Sequence, residues 1–285
     1  MNSERSEALT QNEVTQHEVS SQIERETSAE MPLDRRRFLT LGAAGMTALG
    51  AGALLNPSLA HASQPLDGPS KGSTPLMIKA IDMPDKLKNT EVAGITMKTH
   101  TAHYTLYKGY IAKVNDIRTK LAALGVPDPA KANQTQSDIR GLKVDYTFAL
   151  GGVKNHELYF NNLGGKGGEP NGAIGDMIKS AFGSFEDWKA DLKATGIAAR
   201  GWVWLAHDYT DGSLFNYIGD SQNTYPVWNA TPLLGLDVYE HAYFLDFGTK
   251  RADYIEAFFK VIDWDAVNAN LRTAVAIAAA AKTVR

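Results

Sequence analysis

Four glycines in five residues, Gly164-Gly165-Lys166-Gly167-Gly168, divide this chain into two stretches that cannot fold alike. Such a run suits no helix or strand interior, because glycine has the most backbone freedom to lose on ordering. Ahead of it, apolar residues recur at helical spacing from Thr96 to Leu124 (Leu106, Ile111, Val114, Ile117, Leu121), and Gly125-Val126-Pro127 ends that helix. Asp128 to Asn133 reads as a loop, and Ser137 to about Leu163 as a second long helix. Two long helices with a short connection imply an antiparallel helical hairpin.

Beyond the glycines the pattern changes. Ile174–Phe182 and Ser184–Thr195 read as shorter helices, the second with Ser184 as N-cap and Asp187 three residues on. Gly201–Ala206 and Ser213–Ile218 read as strands joined at Asp211-Gly212, and Leu233–Val238 as a third strand. Arg251–Phe259 and Asp263–Lys282 are helical. The fold class is α+β: a helical hairpin, then a small three-stranded antiparallel sheet with surrounding helices.

The first 62 residues differ in composition from the rest. They carry five basic and eight acidic side chains and so hold the whole net charge of −3, leaving a neutral remainder. A neutral remainder has no excess of cations to neutralise phosphates, which argues against nucleic acid as a partner. Residues 1–33 are polar and without apolar periodicity, and read as disordered. Arg35-Arg36-Arg37-Phe38-Leu39, an uncharged Gly/Ala/Leu run and Ala60-His61-Ala62 then resemble a twin-arginine export signal cleaved before Ser63. The competing reading is a membrane anchor; the glycines in the run and its Ala-x-Ala end favour cleavage. The expected organisation is therefore a leader over 1–62, an arm and helical-hairpin domain over 63–167 with an extended Ser63–Lys88, and an α+β domain over 168–285. The expected location is periplasmic or secreted, with no stable membrane anchor after cleavage.

The chain has no cysteine, so disulfides, thiolate metal sites and thiol nucleophiles are excluded. Any metal must be held by histidine, carboxylate and solvent. Five histidines follow the leader: His100, His103, His156, His207 and His241. His103 and His156 fall on the two long helices, which the hairpin could bring together, while Asp237 and His241 stand four apart after the third strand. Three imidazoles and one carboxylate suit iron or manganese. Composition and spacing alone leave a bland alternative open, in which each histidine is a surface or hydrogen-bonded residue.

Several segments, in order, resemble the iron/manganese superoxide dismutase family. They are Ile95–Tyr104, Asn155-His156-Glu157-Leu158-Tyr159, Gly201-Trp202-Val203-Trp204-Leu205, Gly235–Tyr243 with its Asp-Val-Tyr-Glu-His-Ala-Tyr run, and Asp253-Tyr254-Ile255 with Trp264-Asp265. The resemblance implies His103, His156, Asp237 and His241 as ligands to one Fe or Mn ion per subunit, with His100 the competitor of His103 for the first place. It implies Tyr110 as the gateway tyrosine, Gln222 as the residue that hydrogen-bonds the metal's solvent ligand, and Gly152 as the small residue of manganese-type members, a lean towards manganese. Trp202 and Trp204 would wall the site, and Glu240 would bridge to His241 of the partner subunit in a homodimer, a tetramer being the alternative. The chain departs from the family pattern in having one residue fewer between His103 and Tyr110, with Tyr107 nearest the place of a second histidine, and in Phe160 and Tyr239, where the family has tryptophan. The implied activity is dismutation of superoxide to oxygen and hydrogen peroxide, protecting the cell envelope; the alternative is an exported metal-binding module without catalysis.

Overall fold

A computed structural model describes residues 74–282. The leader, its export signal and the first part of the arm lie outside the described residues.

Helix α1 runs Met97–Leu124 and α2 runs Asp138–Asn161. On α1 the buried side chains include Thr99 and a stripe at three- and four-residue spacing, His100, His103, Tyr107, Ile111, Val114 and Ile117. On α2 they are Ala149, Gly152, Val153, His156, Tyr159 and Phe160. These faces pack on each other, so α1 buries His100 and His103 and α2 buries His156. Two shorter helices follow, α3 (Gly172–Phe182) and α4 (Phe185–Ala198). Ser184 caps α4 as expected: its hydroxyl accepts from the Asp187 amide at 3.0 Å and donates to the Asp187 carboxylate at 2.6 Å.

Strands β1 (Trp202–Asp208), β2 (Leu214–Gly219) and β3 (Ala230–Asp237) form an antiparallel sheet in the order β2-β1-β3. The central strand β1 is buried from Trp202 to His207. Its first residue, Trp202, pairs with Asp237 at the end of β3. Directly paired residues project from the same sheet face, so one strand end delivers an indole and a carboxylate together. A one-turn 3₁₀ helix at Glu240–Ala242 and a single turn at Phe244–Phe247 lead to α5 (Arg251–Phe259) and α6 (Trp264–Lys282). The side chain of Asp263 accepts the amides of Asp265 and Ala266, which starts α6.

The glycine run makes a close passage. Gly164 has φ +88°, and a Cβ there would stand 2.3 Å from the Lys86 carbonyl oxygen. Lys86 belongs to a 3₁₀ helix, Asp85–Ala93, which corrects the reading of Ser63–Lys88 as wholly extended. That helix buries only Leu87 and Thr90, too few apolar positions to show a period. Pro84 before it and the left-handed Gly94 after it are the punctuation that marks it. Among the described residues, no helix is long and apolar enough to cross a membrane.

Candidate metal centre

Four donors meet where α1, α2 and the end of β3 converge. His103 comes from α1, His156 from α2, Asp237 from the last position of β3 and His241 from the 3₁₀ turn just beyond. Asp237 Oδ2 lies 3.1 Å from His103 Nε2, 3.1 Å from His241 Nε2 and 3.7 Å from His156 Nε2. His103, His156 and Asp237 are buried, and the His241 side chain is 26% exposed. The other carboxylate oxygen accepts the Tyr239 amide at 2.9 Å, which fixes the rotation that aims Oδ2 at the three imidazoles.

The electrostatics follow from that geometry. Burial alone would raise the Asp237 carboxyl, but the His241 and His103 imidazoles override it and hold it below the usual carboxylate range. Burial pushes His156 down to about 3, and the neighbouring His103 adds to the shift. Burial also lowers His103, against the pull of Asp237. His241 is disfavoured as a cation by burial, yet Asp237 lifts it above its ordinary value. The cluster thus presents one anion and at least two neutral imidazoles, the protonation states that metal ligands need.

His156 is the most telling donor. Its Nδ1 donates to the Gly152 carbonyl one helical turn back, at 2.5 Å, so Nε2 carries the bare lone pair. That Nε2 is buried and has no hydrogen-bond partner. An unpaired acceptor buried among donor atoms within 4.8 Å of one another fits a cation better than any neutral arrangement. A cation at about 2.1 Å from each atom needs donors within roughly 4.2 Å of each other, so shifts of a few tenths of an ångström complete the shell.

A hydrogen-bonded chain runs beside the cluster. Trp202 Nε1 donates to Gln222 Oε1 at 3.1 Å, and Gln222 Nε2 donates to the Tyr110 hydroxyl at 3.2 Å. Burial raises the Tyr110 phenol above its ordinary value, with the Asp237 charge adding to it. The Tyr110 ring lies 5.3 Å from the His156 ring, and that approach needs Gly152: a Cβ there would stand 2.6 Å from the tyrosine ring. Trp202 packs edge-on to His156 at 5.2 Å, while Trp204 stacks behind Trp202 at 6.0 Å. Phe160 lies 5.1 Å from the His103 ring, and Tyr239 stacks on His241 at 5.3 Å. The Tyr107 hydroxyl instead accepts from the Ile81 amide and donates to Glu157, away from the donor atoms. Glu240 stands outside the cluster, its side chain 66% exposed and 3.8 Å from Arg251.

Known proteins similar to this chain agree with that chemistry. Residues 170–270 match the model for iron/manganese superoxide dismutases, C-terminal domain. A superoxide dismutase [Fe] of Aquifex aeolicus is 43% identical over 194 residues, 67% of this chain and 91% of that protein. The chain belongs to the iron/manganese superoxide dismutase family. Both metal types occur among similar family members: superoxide dismutase [Mn] 1 of Halobacterium salinarum is 35% identical over 57% of this chain and 79% of that protein, and a superoxide dismutase [Fe] of Cupriavidus metallidurans is 35% identical over 61% and 87%.

For this family member, neither His100 nor His207 lies at the surface; both are buried. His100 Nε2 lies 2.8 Å from Thr90 Oγ1 and is not among the four converging donors. The Thr90 hydroxyl also lies 2.7 Å from the Leu87 and Ile95 carbonyls, which can only accept and so engage its one hydrogen; it therefore accepts from His100, and Nε2 carries the proton. Burial lowers His100 from 6.5 to about 4, with help from His103. Below pH 6.5 the unfolded chain takes up a proton that the folded chain refuses until about pH 4, so stability falls with pH across that window. The full effect is about 3 kcal/mol. Urea unfolding of His100→Leu against the parent at pH 7 and pH 4.5 is expected to show a shallower slope, the part that remains belonging to His156 and His103, which burial also lowers.

Gly151 escaped the sequence reading, as did the role of Asn155, which it noted only as a neighbour of His156. Asn155 Nδ2 donates to the Gln222 carbonyl at 3.1 Å, and Gly151 touches the same carbonyl. Their partner lies 67 residues away from Asn155, and no local pattern signals such a contact.

Proposed function

We propose that His103, His156, Asp237 and His241 hold one iron or manganese ion per chain for the dismutation of superoxide to oxygen and hydrogen peroxide. The observation that carries this is the bare, buried Nε2 of His156 facing Asp237 Oδ2 among the other donors. When bound, the metal would supply the one-electron couple through which two superoxides and two protons become oxygen and hydrogen peroxide. The rest falls to the chain's own residues. Asp237 offsets positive charge, and the imidazoles stay neutral. Trp202 and Phe160 surround the ligands with apolar bulk, which restricts access to small species.

Gln222 is the tuning group. Its carbonyl oxygen faces Trp202, an indole that can only donate, so the side turned to Tyr110 is the amide donor. A donor there would favour negative charge on a solvent molecule held by the metal, and it links the site to the Tyr110 proton. Burial keeps that phenol protonated at neutral pH. Gln222→Leu is expected to slow dismutation by about 10- to 100-fold with metal content retained. Dismutation assays normalised to bound metal check this, and an unchanged rate would remove Gln222 from the mechanism. The complete Trp202–Gln222–Tyr110 chain argues against the metal-binding module without catalysis.

Gly152 together with Gln222 supports manganese over iron. A homodimer is supported by His241, half-buried in one chain, with Glu240 and the exposed Phe244 and Leu245 beside it; Glu240 would reach His241 of the partner subunit. The packing of α1 against α2 supports the antiparallel hairpin, and the glycine run supports a boundary near residue 167. Arg35-Arg36-Arg37-Phe38-Leu39 and Ala60-His61-Ala62 support export by the twin-arginine route and a role in protecting the cell envelope.

A further inference from the structure

Three residues of α2 at four-residue spacing, Thr147, Gly151 and Asn155, form one face of that helix, and all three meet the segment carrying Gln222. Asn223 Nδ2 donates to Thr147 Oγ1 at 2.8 Å. Asn155 Nδ2 donates to the Gln222 main-chain carbonyl at 3.1 Å and lies 3.3 Å from its side-chain Oε1. Between these ties, a Cβ at Gly151 would stand 2.1 Å from the Gln222 carbonyl oxygen and 2.9 Å from its carbonyl carbon. The obstacle is main chain held at both ends, not the tip of a flexible side chain. The distance between α2 and residue 222 is therefore set by the hydrogen at position 151.

We infer that the Thr147–Gly151–Asn155 face of α2 sets how deeply Gln222 reaches towards the ligand cluster, making Gly151 a positioning residue of the dismutase. This rests on the reading of the four donors as metal ligands and of Gln222 as the tuning group. The same helix carries His156, so one rigid element places a ligand and fixes the depth of the glutamine opposite it. Gly152, the next residue, acts separately, since its missing Cβ admits the Tyr110 ring and not the Gln222 backbone. An alanine at 151 forces the segment Ser221–Asn223 away from α2. Gln222 then withdraws from both Trp202 and Tyr110. With the amide donor withdrawn, negative charge at the metal's open position is less favoured. Because that charge accompanies the higher oxidation state, the midpoint potential rises.

The test compares Gly151→Ala, Gln222→Leu and the double variant, with Gly141→Ala as control, since a Cβ at Gly141 meets nothing within 4 Å. Two readouts are taken on the full chain: the Trp202 indole N–H resonance in metal-free protein, and the midpoint potential of protein loaded with manganese. Gly151→Ala is expected to move the resonance and to shift the potential in the positive direction, as Gln222→Leu does. In the double variant the glycine substitution is expected to add nothing, and Gly141→Ala is expected to leave both readouts alone. A Gly151→Ala protein that melts lower but keeps the parental resonance and potential overturns the inference, while a shifted Gln222→Leu potential leaves the tuning reading standing. An unmoved potential in Gln222→Leu overturns the tuning reading and this inference with it. If Gly151→Ala does not fold, Thr147→Val removes the acceptor of Asn223 and is expected to give a smaller shift of the same sign; no shift there overturns the inference.

Discussion

Asp237→Asn is expected to leave a folded protein that holds almost no metal. Asparagine keeps the shape of the side chain and an oxygen for the Tyr239 amide, which Asp237 Oδ1 now accepts at 2.9 Å. It removes the only carboxylate among the four converging donors, buried and shared by His103 and His241 at 3.1 Å each. A cation placed there would then face three neutral imidazoles and an amide in an apolar surround, with the cost of its own desolvation uncompensated. Loss of a partner outside a ligand set costs metal affinity about 10- to 100-fold; loss of the sole anionic ligand is expected to exceed that. Metal content after purification, read with far-UV circular dichroism, checks the claim. Full metal content in a folded Asp237→Asn protein would contradict it. The substitution also removes the charge that lifts His241, so the pKa of that imidazole is expected to fall.

The second large effect is on stability. Trp202 is fully buried between the His156 ring and Trp204, at the start of the central strand. Trp202→Ala empties a ring-sized volume that the paired strands cannot collapse to fill, and is expected to cost about 3–5 kcal/mol. Over a domain of this size that lowers the melting temperature by roughly 10 °C. Trp202→Phe separates packing from hydrogen bonding: it fills most of the volume but removes the N–H that Gln222 accepts. Most of the stability should return, while dismutation per bound metal stays slow. A Trp202→Phe enzyme as fast as the parent would show that the Gln222 anchor is not needed.

The two long helices, the Ser184 cap and the Asp211-Gly212 turn were legible because each is encoded within a few residues. Strand β3 begins at Ala230, three residues before the apolar run suggests, because Pro232 reads as a strand breaker. It is tolerated because β3 is an edge strand, and its place opposite Ala206 coincides with a register shift between Leu205 and Ala206. The 3₁₀ helix Asp85–Ala93 left no periodic trace. At the site, composition and spacing could not choose between His100 and His103: both lie on the buried face of α1, three residues apart. The family resemblance pointed to His103. The convergence on Asp237 sets it apart structurally, since that position is 134 residues away. The docking face of Thr147, Gly151 and Asn155 stayed invisible for the same reason.

A redox metal held by the four converging donors ties dismutation to bound metal, and a metal titration measures that tie. The full chain is stripped of metal, reloaded with increasing iron or manganese, and assayed for superoxide dismutation against metal bound per chain. The predicted result is no activity without metal and a rate proportional to occupancy that saturates at one ion per chain. Stoichiometric binding with no dismutation, or undiminished dismutation by the stripped protein, would contradict it.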